Sequence, residues 1–223
     1  MKRQLLNRIV ILSLVLAGAI AGSLPAAAVG GDCPGQRWVE QHRRALPQTY
    51  DQFLAAPAAL RHVIFDNLAP EVQSQLWVAH LQRYLSRNPG LSTDQVAVIH
   101  QAIDLAERPE TFGRPRDSEA WDLLVGEPLK ELESNVRAVF NPRQTTAILS
   151  ELGGREVMEA PVLAGAKLDA VFCQCATASD WCSGGAVCIP DGGGCTHQQG
   201  CGTFWRYICN GLCGENVILE LQK

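Results

Sequence analysis

Cys173-Gln174-Cys175-Ala176-Thr177-Ala178-Ser179-Asp180-Trp181-Cys182 opens the stretch that decides how this chain is held together. Between Cys173 and Cys213 stand 41 residues, of which eight are cysteine and eight glycine. Eleven others are apolar, three of them alanine. Burying a large apolar side chain contributes roughly 1.5–3 kcal/mol, whereas ordering each residue costs about 1.5 kcal/mol. Burial within this segment cannot offset that cost, so it needs covalent cross-links. Four disulfides at about 2–4 kcal/mol each, acting largely by restricting the unfolded chain, make the balance possible. Cys173, Cys175, Cys182, Cys188, Cys195, Cys201, Cys209 and Cys213 are therefore expected to form four bridges.

Eight cysteines admit about a hundred pairings, and the sequence selects none. One is excluded: a single residue separates Cys173 from Cys175, too little for an ordinary mutual bridge, so the two lead to different partners. Glycine tolerates positive φ, which makes turns at Ser183-Gly184-Gly185 and Asp191-Gly192-Gly193-Gly194 easy to form and any strands short. The rival reading is zinc, with Cys173, Cys175, Cys209 and Cys213 as thiolates. Paired C-x-x-C knuckles are missing and His197 is a lone loop histidine, so neither metal nor cofactor is expected.

The compartment follows from the other end of the chain. Lys2, Arg3 and Arg8 precede or open an apolar run, Ile9 to Ile20, and small residues follow, ending Ala26-Ala27-Ala28. This is the pattern of a secretory signal peptide, residues 1–28, with signal peptidase cutting after Ala28. An uncleaved membrane anchor over Ile9 to Ala28 and a lipid anchor on Cys33 are the alternatives. Pro25 and the alanine run argue against the first, and Asp32 against the second. All three readings place the body of the protein outside the cytoplasm, secreted or periplasmic, where disulfides persist.

Removing Lys2, Arg3 and Arg8 takes the formal charge from −4 to −7. An acidic mature chain disfavours nucleic acid as a partner and is expected to give no basic patch for anionic lipid.

From Trp38 to Leu152 there is no cysteine, and residues 29–152 read as an all-α region. Val72, Leu76 and Ala79, widened by Trp77, Leu81, Tyr84 and Leu85, form the apolar face of a helix after Pro70-Glu71 that Asn88-Pro89-Gly90 stops. Ser92 or Thr93 caps the next, which carries Val96, Ile99, Ile103 and Ala106 and ends at Pro109. Glu110 to Ser118 reads as a polar loop. Leu129, Leu132, Val136 and Val139 with Phe140 mark a further helix before Asn141-Pro142, and a short one runs from Arg143 to Leu152. Trp38 to Leu46 and Ala58 to Leu68 are expected to be helical too.

Gly153-Gly154 breaks the pattern, and residues 153–170 read as a linker to a module spanning 171–223. Leu149-Ser150-Glu151-Leu152-Gly153-Gly154 also has the form of a double-glycine export leader. A helix stopped by glycine in a left-handed cap explains both glycines without a protease.

The opening C-x-C-x-T-A-S-D-aromatic-C run, with Cys188, Cys195 and the closing Cys201-Gly202-Thr203-Phe204-Trp205-Arg206-Tyr207, resembles the fulvocin C bacteriocins and fulvocin C-related proteins. The resemblance covers about forty of the 223 residues. It implies a secreted module with four disulfides that inhibits related bacteria, with the surface or membrane of a competing cell as its partner. The module's own charge is −1, from Asp180, Asp191 and Arg206, so electrostatic attraction does not drive such contact. Trp181, Phe204, Trp205 and Tyr207 are the candidate contact residues, since amphipathic rings sit favourably at interfaces; the other reading packs them on the disulfides. The five histidines show no H-x-x-x-H or nucleophile-elbow spacing, and no enzymatic activity is expected. A non-toxic exported binding protein with a disulfide-stabilised cap is the alternative function, and the helical region is expected to act as carrier or pro-region.

Overall fold

The computed structural model describes residues 34–153, 173–182, 186–190 and 194–214. The expected signal peptide with Ala28, Cys33 and nearly all of the expected linker lie outside them. Eight α-helices come first: α1 Pro34–His42, α2 Tyr50–Ala55, α3 Arg61–Asp66, α4 Pro70–Arg87, α5 Thr93–Glu107, α6 Pro109–Gly113, α7 Glu127–Val139 and α8 Pro142–Leu149. Four short strands follow: β1 Val187–Pro190, β2 Gln198–Cys201, β3 Tyr207–Cys209 and β4 Gly211–Gly214. The fold is thus an all-α region followed by a disulfide-rich module, as the sequence leads one to expect.

Helix ends fall where backbone N–H groups find partners. Ser92 caps α5 in a reciprocal box: its hydroxyl accepts the Gln95 N–H at 3.2 Å, and Gln95 Oε1 accepts the Ser92 N–H at 3.0 Å. Asn141 and Gln144 repeat that device at α8, with Pro142 in its first turn. Pro109 does two jobs, because it halts α5 and also starts α6. The stretch expected to be a loop from Glu110 is therefore helical as far as Gly113. Two residues hold it there: Phe112 is buried, and the buried Thr111 hydroxyl donates to the Leu105 carbonyl at 2.6 Å. A π-helical turn, Asp122–Gly126, leads into α7.

The apolar stripes meet in one core. Leu76, Trp77 and Leu81 of α4 lie with Ile99, Ala102 and Ile103 of α5, with Leu129, Leu132 and Val136 of α7, and with Ile148 and Leu149 of α8. Phe53 and Phe65 close it from α2 and α3. The described residues all belong to one unit, and this core extends into the module through Cys173, Ala176, Phe204, Trp205 and Tyr207.

Four bridges tie the module: Cys173–Cys195, Cys175–Cys188, Cys182–Cys213 and Cys201–Cys209. Cys173 and Cys175 do lead to different partners. Strands β1 and β4 pair antiparallel, placing Cys188 opposite Cys213, while β2 and β3 form a second antiparallel pair with an irregular register. Strand β2 rests on α3. No helix among the described residues is long and apolar enough to cross a membrane.

Candidate functional site

The seam where the module meets the helices gathers the residues that the sequence singled out. Its centre is the turn from Gly202 to Tyr207. Gly202 has φ 71°, and a Cβ there would come within 2.5 Å of the Tyr207 ring and 2.8 Å of Ser179 Cβ, so only glycine fits. Phe204 and Trp205 follow with φ of 54° and 57°, conformations that side-chain-bearing residues adopt at a cost. Such a cost persists where surrounding packing fixes the backbone.

That packing is aromatic. Trp205 stacks on His62 of α3 with centroids 3.7 Å apart, and meets the edges of Phe65 and Trp77 at 5.2 and 6.0 Å. Its indole N–H donates to the Ser150 carbonyl just past α8, at 2.8 Å. Phe204 lies 4.9 Å from Trp77 and 6.3 Å from Phe112. Tyr207 meets Trp121 edge-on at 5.7 Å. Burial lowers the His62 pKa to about 4, so the ring beneath Trp205 is neutral at neutral pH.

In the intact chain three of the four candidate contact rings are turned away from solvent. Phe204, Trp205 and Tyr207 are 0 %, 3 % and 5 % exposed, so the helices cover all three. The reason is local: an extended segment would have sent the adjacent rings 204 and 205 to opposite sides, whereas two consecutive left-handed residues turn both inward. Trp181 is half-buried at the rim.

A polar clasp flanks the aromatic seat. Glu133 of α7 accepts at Oε1 from the Ser179 hydroxyl at 2.5 Å and from the Thr203 hydroxyl at 2.6 Å. The Thr203 backbone N–H and the Trp181 indole N–H both donate to Ser179 Oγ at 3.0 Å. One turn along α7, Arg137 donates to the Asp180 carbonyl at 2.9 Å and sits 4.2 Å above the Trp181 ring. The Asp180 carboxylate faces the other way, accepting the N–H groups of Cys182 and Cys188 at 2.9 and 2.8 Å. The Thr-Ala-Ser-Asp-Trp and Cys-Gly-Thr runs therefore serve two tasks, bracing the bridges and seating the module on α7.

Glu133 was not marked from sequence, though a signal existed. It lies four residues after Leu129 and three before Val136, which puts a carboxylate on the buried stripe of α7. Such an acid calls for partners, and here they come from the module. The zinc reading distributes differently: Cys173, Cys175, Cys209 and Cys213 each belong to a separate bridge. The sulfurs of Cys175, Cys182 and Cys213 lie within 4.8 Å of one another because two bridges, Cys175–Cys188 and Cys182–Cys213, are neighbours.

Fold and seam together define a class: a helical protein carrying a disulfide-rich module that is docked by its own aromatic turn. No family model, no curated protein and no solved structure matches the chain.

Proposed function

We propose that this chain is an exported bacteriocin-like precursor in which the module from Cys173 to Cys213 is the inhibitory part and the helical region its carrier and shield. The observation that carries this reading is the burial of Phe204, Trp205 and Tyr207 beneath the helices. An inhibitory peptide of net charge −1 has to work through its rings rather than by charge attraction. Exposed on the producing cell, the same rings would engage its own surface; seated against α3, α4 and α6 they are withheld. Signal peptidase would act after Ala28, and a second cut near Lys167 to Val171 would separate module from shield without touching a bridge. The target is the surface or membrane of a competing bacterium, and no catalytic step is involved.

One observation favours a second reading, that of a non-toxic exported binding protein with a permanent disulfide cap. The Trp205 bond to Ser150 and the Glu133 clasp join the two parts as firmly as neighbouring elements of one domain. Mass spectrometry of the medium of producing cells separates the two. A fragment beginning between Lys167 and Val171, with eight oxidised cysteines and growth-inhibiting activity lost on reduction, is the expected result. An intact, inactive chain from Val29 as the sole product would remove the bacteriocin reading and leave the second.

A further inference from the structure

Away from the clasp, a cleft of about 670 Å³ opens between the segment after α6 and the β2–β3 pair. Arg114, Arg116 and Arg206 all line it, with Gln199 and Ile208 on the module side and Asp117 as the single lining carboxylate. In a chain of net negative charge, three guanidinium groups have converged on one hollow.

Backbone carbonyls hold two of them in place. Arg206 Nη2 donates to the Arg114 carbonyl at 2.7 Å, and Arg116 Nη2 reaches the Trp205 carbonyl at 3.4 Å. Among the described residues the ion pairs within 4.0 Å are Arg83–Asp51 and Lys130–Glu127, so none of the three arginines forms an ion pair with a described residue. Arg114 Nε, Arg116 Nη1 and Arg206 Nε are shielded from solvent and donate to no group. Leaving a buried donor unmade is unfavourable, and more so for a charged group. Burial, and then the neighbouring Arg206 charge, lower the Arg116 pKa to about 9. Asp66 at the end of α3 attracts both Arg116 and Arg206. Burial pushes its own carboxyl up although the residue as a whole is exposed, and it does not line the cleft.

An arrangement that places like charges together and leaves their N–H groups unused is completed by an anion. Guanidinium forks match carboxylate and phosphate oxygens in two-point contacts. A single carboxylate supplies one charge; a phosphate monoester supplies nearly two and three acceptor oxygens, which answers three arginines better. We infer that the Arg114–Arg116–Arg206 cleft is a binding site for a phosphate group borne by a small solute or by a lipid headgroup. Its rim suits either source, since Ile208 is 42 % exposed beside the cationic floor.

The inference goes beyond the proposed function and stands or falls separately, because binding is read on the intact oxidised chain whatever the module inhibits. Calorimetric titration with inorganic phosphate at low ionic strength, against acetate at matched ionic strength, is the first arm. Sedimentation with vesicles of phosphatidylglycerol, against phosphatidylcholine, is the second. Two variants accompany both arms: Arg116→Gln, which removes a guanidinium, and Gln199→Glu, which puts a carboxylate on an exposed residue of the rim and leaves the core alone. Saturable phosphate binding that weakens at least tenfold in Gln199→Glu, with Arg116→Gln weakened likewise, is expected if the group comes from a solute. Vesicle binding alone, with the same losses, assigns it to a lipid. Equal responses to phosphate and acetate without vesicle binding, or binding undiminished in Gln199→Glu, would overturn the site.

Discussion

At the scale of single residues, His80 shows how burial fixes chemistry. Carbonyl oxygens only accept, so its Nε2 donates to the Ala147 carbonyl at 2.8 Å, and Nδ1 then accepts from the Tyr50 hydroxyl at 3.1 Å. That pattern requires a neutral ring, and burial lowers its pKa to about 4. His62, under Trp205, is lowered to about 4 for the same reason. An unfolded histidine titrates near ~6.5, so between about 6.5 and 4 the unfolded chain takes protons that the folded one refuses. Stability accordingly falls as pH drops through that window. Asp66 acts with the opposite sign: its carboxyl, raised to about 7, takes its proton in the folded state first and gains stability as pH falls from there. Two histidines outweigh one carboxylate. The urea midpoint at pH 4.5 is expected below that at pH 7, and the drop should be steeper in Asp66→Asn; a midpoint that rises on acidification would contradict the two histidine assignments.

Secondary elements differ in how far their own sequence announces them. Helices α4, α5 and α7 were legible because each pairs a long apolar stripe with a stop or cap, as with Ser92 and Gln95 ahead of α5. Helix α6 was not. Five residues cannot sustain a helix by propensity, and it exists because Phe112 and Thr111 find places in the core. The module divides in the same way: its bridges could be foreseen from composition, whereas their pairing depends on which strands lie side by side. The pairing in turn sets an order of attack. Cys213 is exposed and Cys182 half-buried, while Cys173, Cys195, Cys201 and Cys209 are all buried. Access governs thiol–disulfide exchange. Brief treatment with a low concentration of thiol, followed by alkylation and peptide mapping, should label Cys182 and Cys213 first. Early labelling of Cys173 and Cys195 would mean that the module opens from its inner side.

Over the whole molecule, the decisive point is that the module's rings complete the core of the helices. The aromatic residues were conspicuous in the sequence, but their direction was hidden in two left-handed backbone positions that no spacing rule reveals. A change in the module must therefore be felt far from it. Trp205→Ala removes the ring lodged among His62, Phe65 and Trp77 and the bond to Ser150, a loss of about 3–5 kcal/mol for a buried tryptophan. The helical signal in far-ultraviolet dichroism should melt at a correspondingly lower denaturant concentration, in step with tryptophan fluorescence. Unchanged helical melting in that variant would mean that the two parts fold independently. The fit between Trp205 and its seat also bears on descent. A gene for such a chain cannot trade its last quarter with a cousin unless the codons for Phe53, His62, Phe65 and Trp77 travel with it or drift to match, so the two ends of the reading frame are bound to be inherited as a pair.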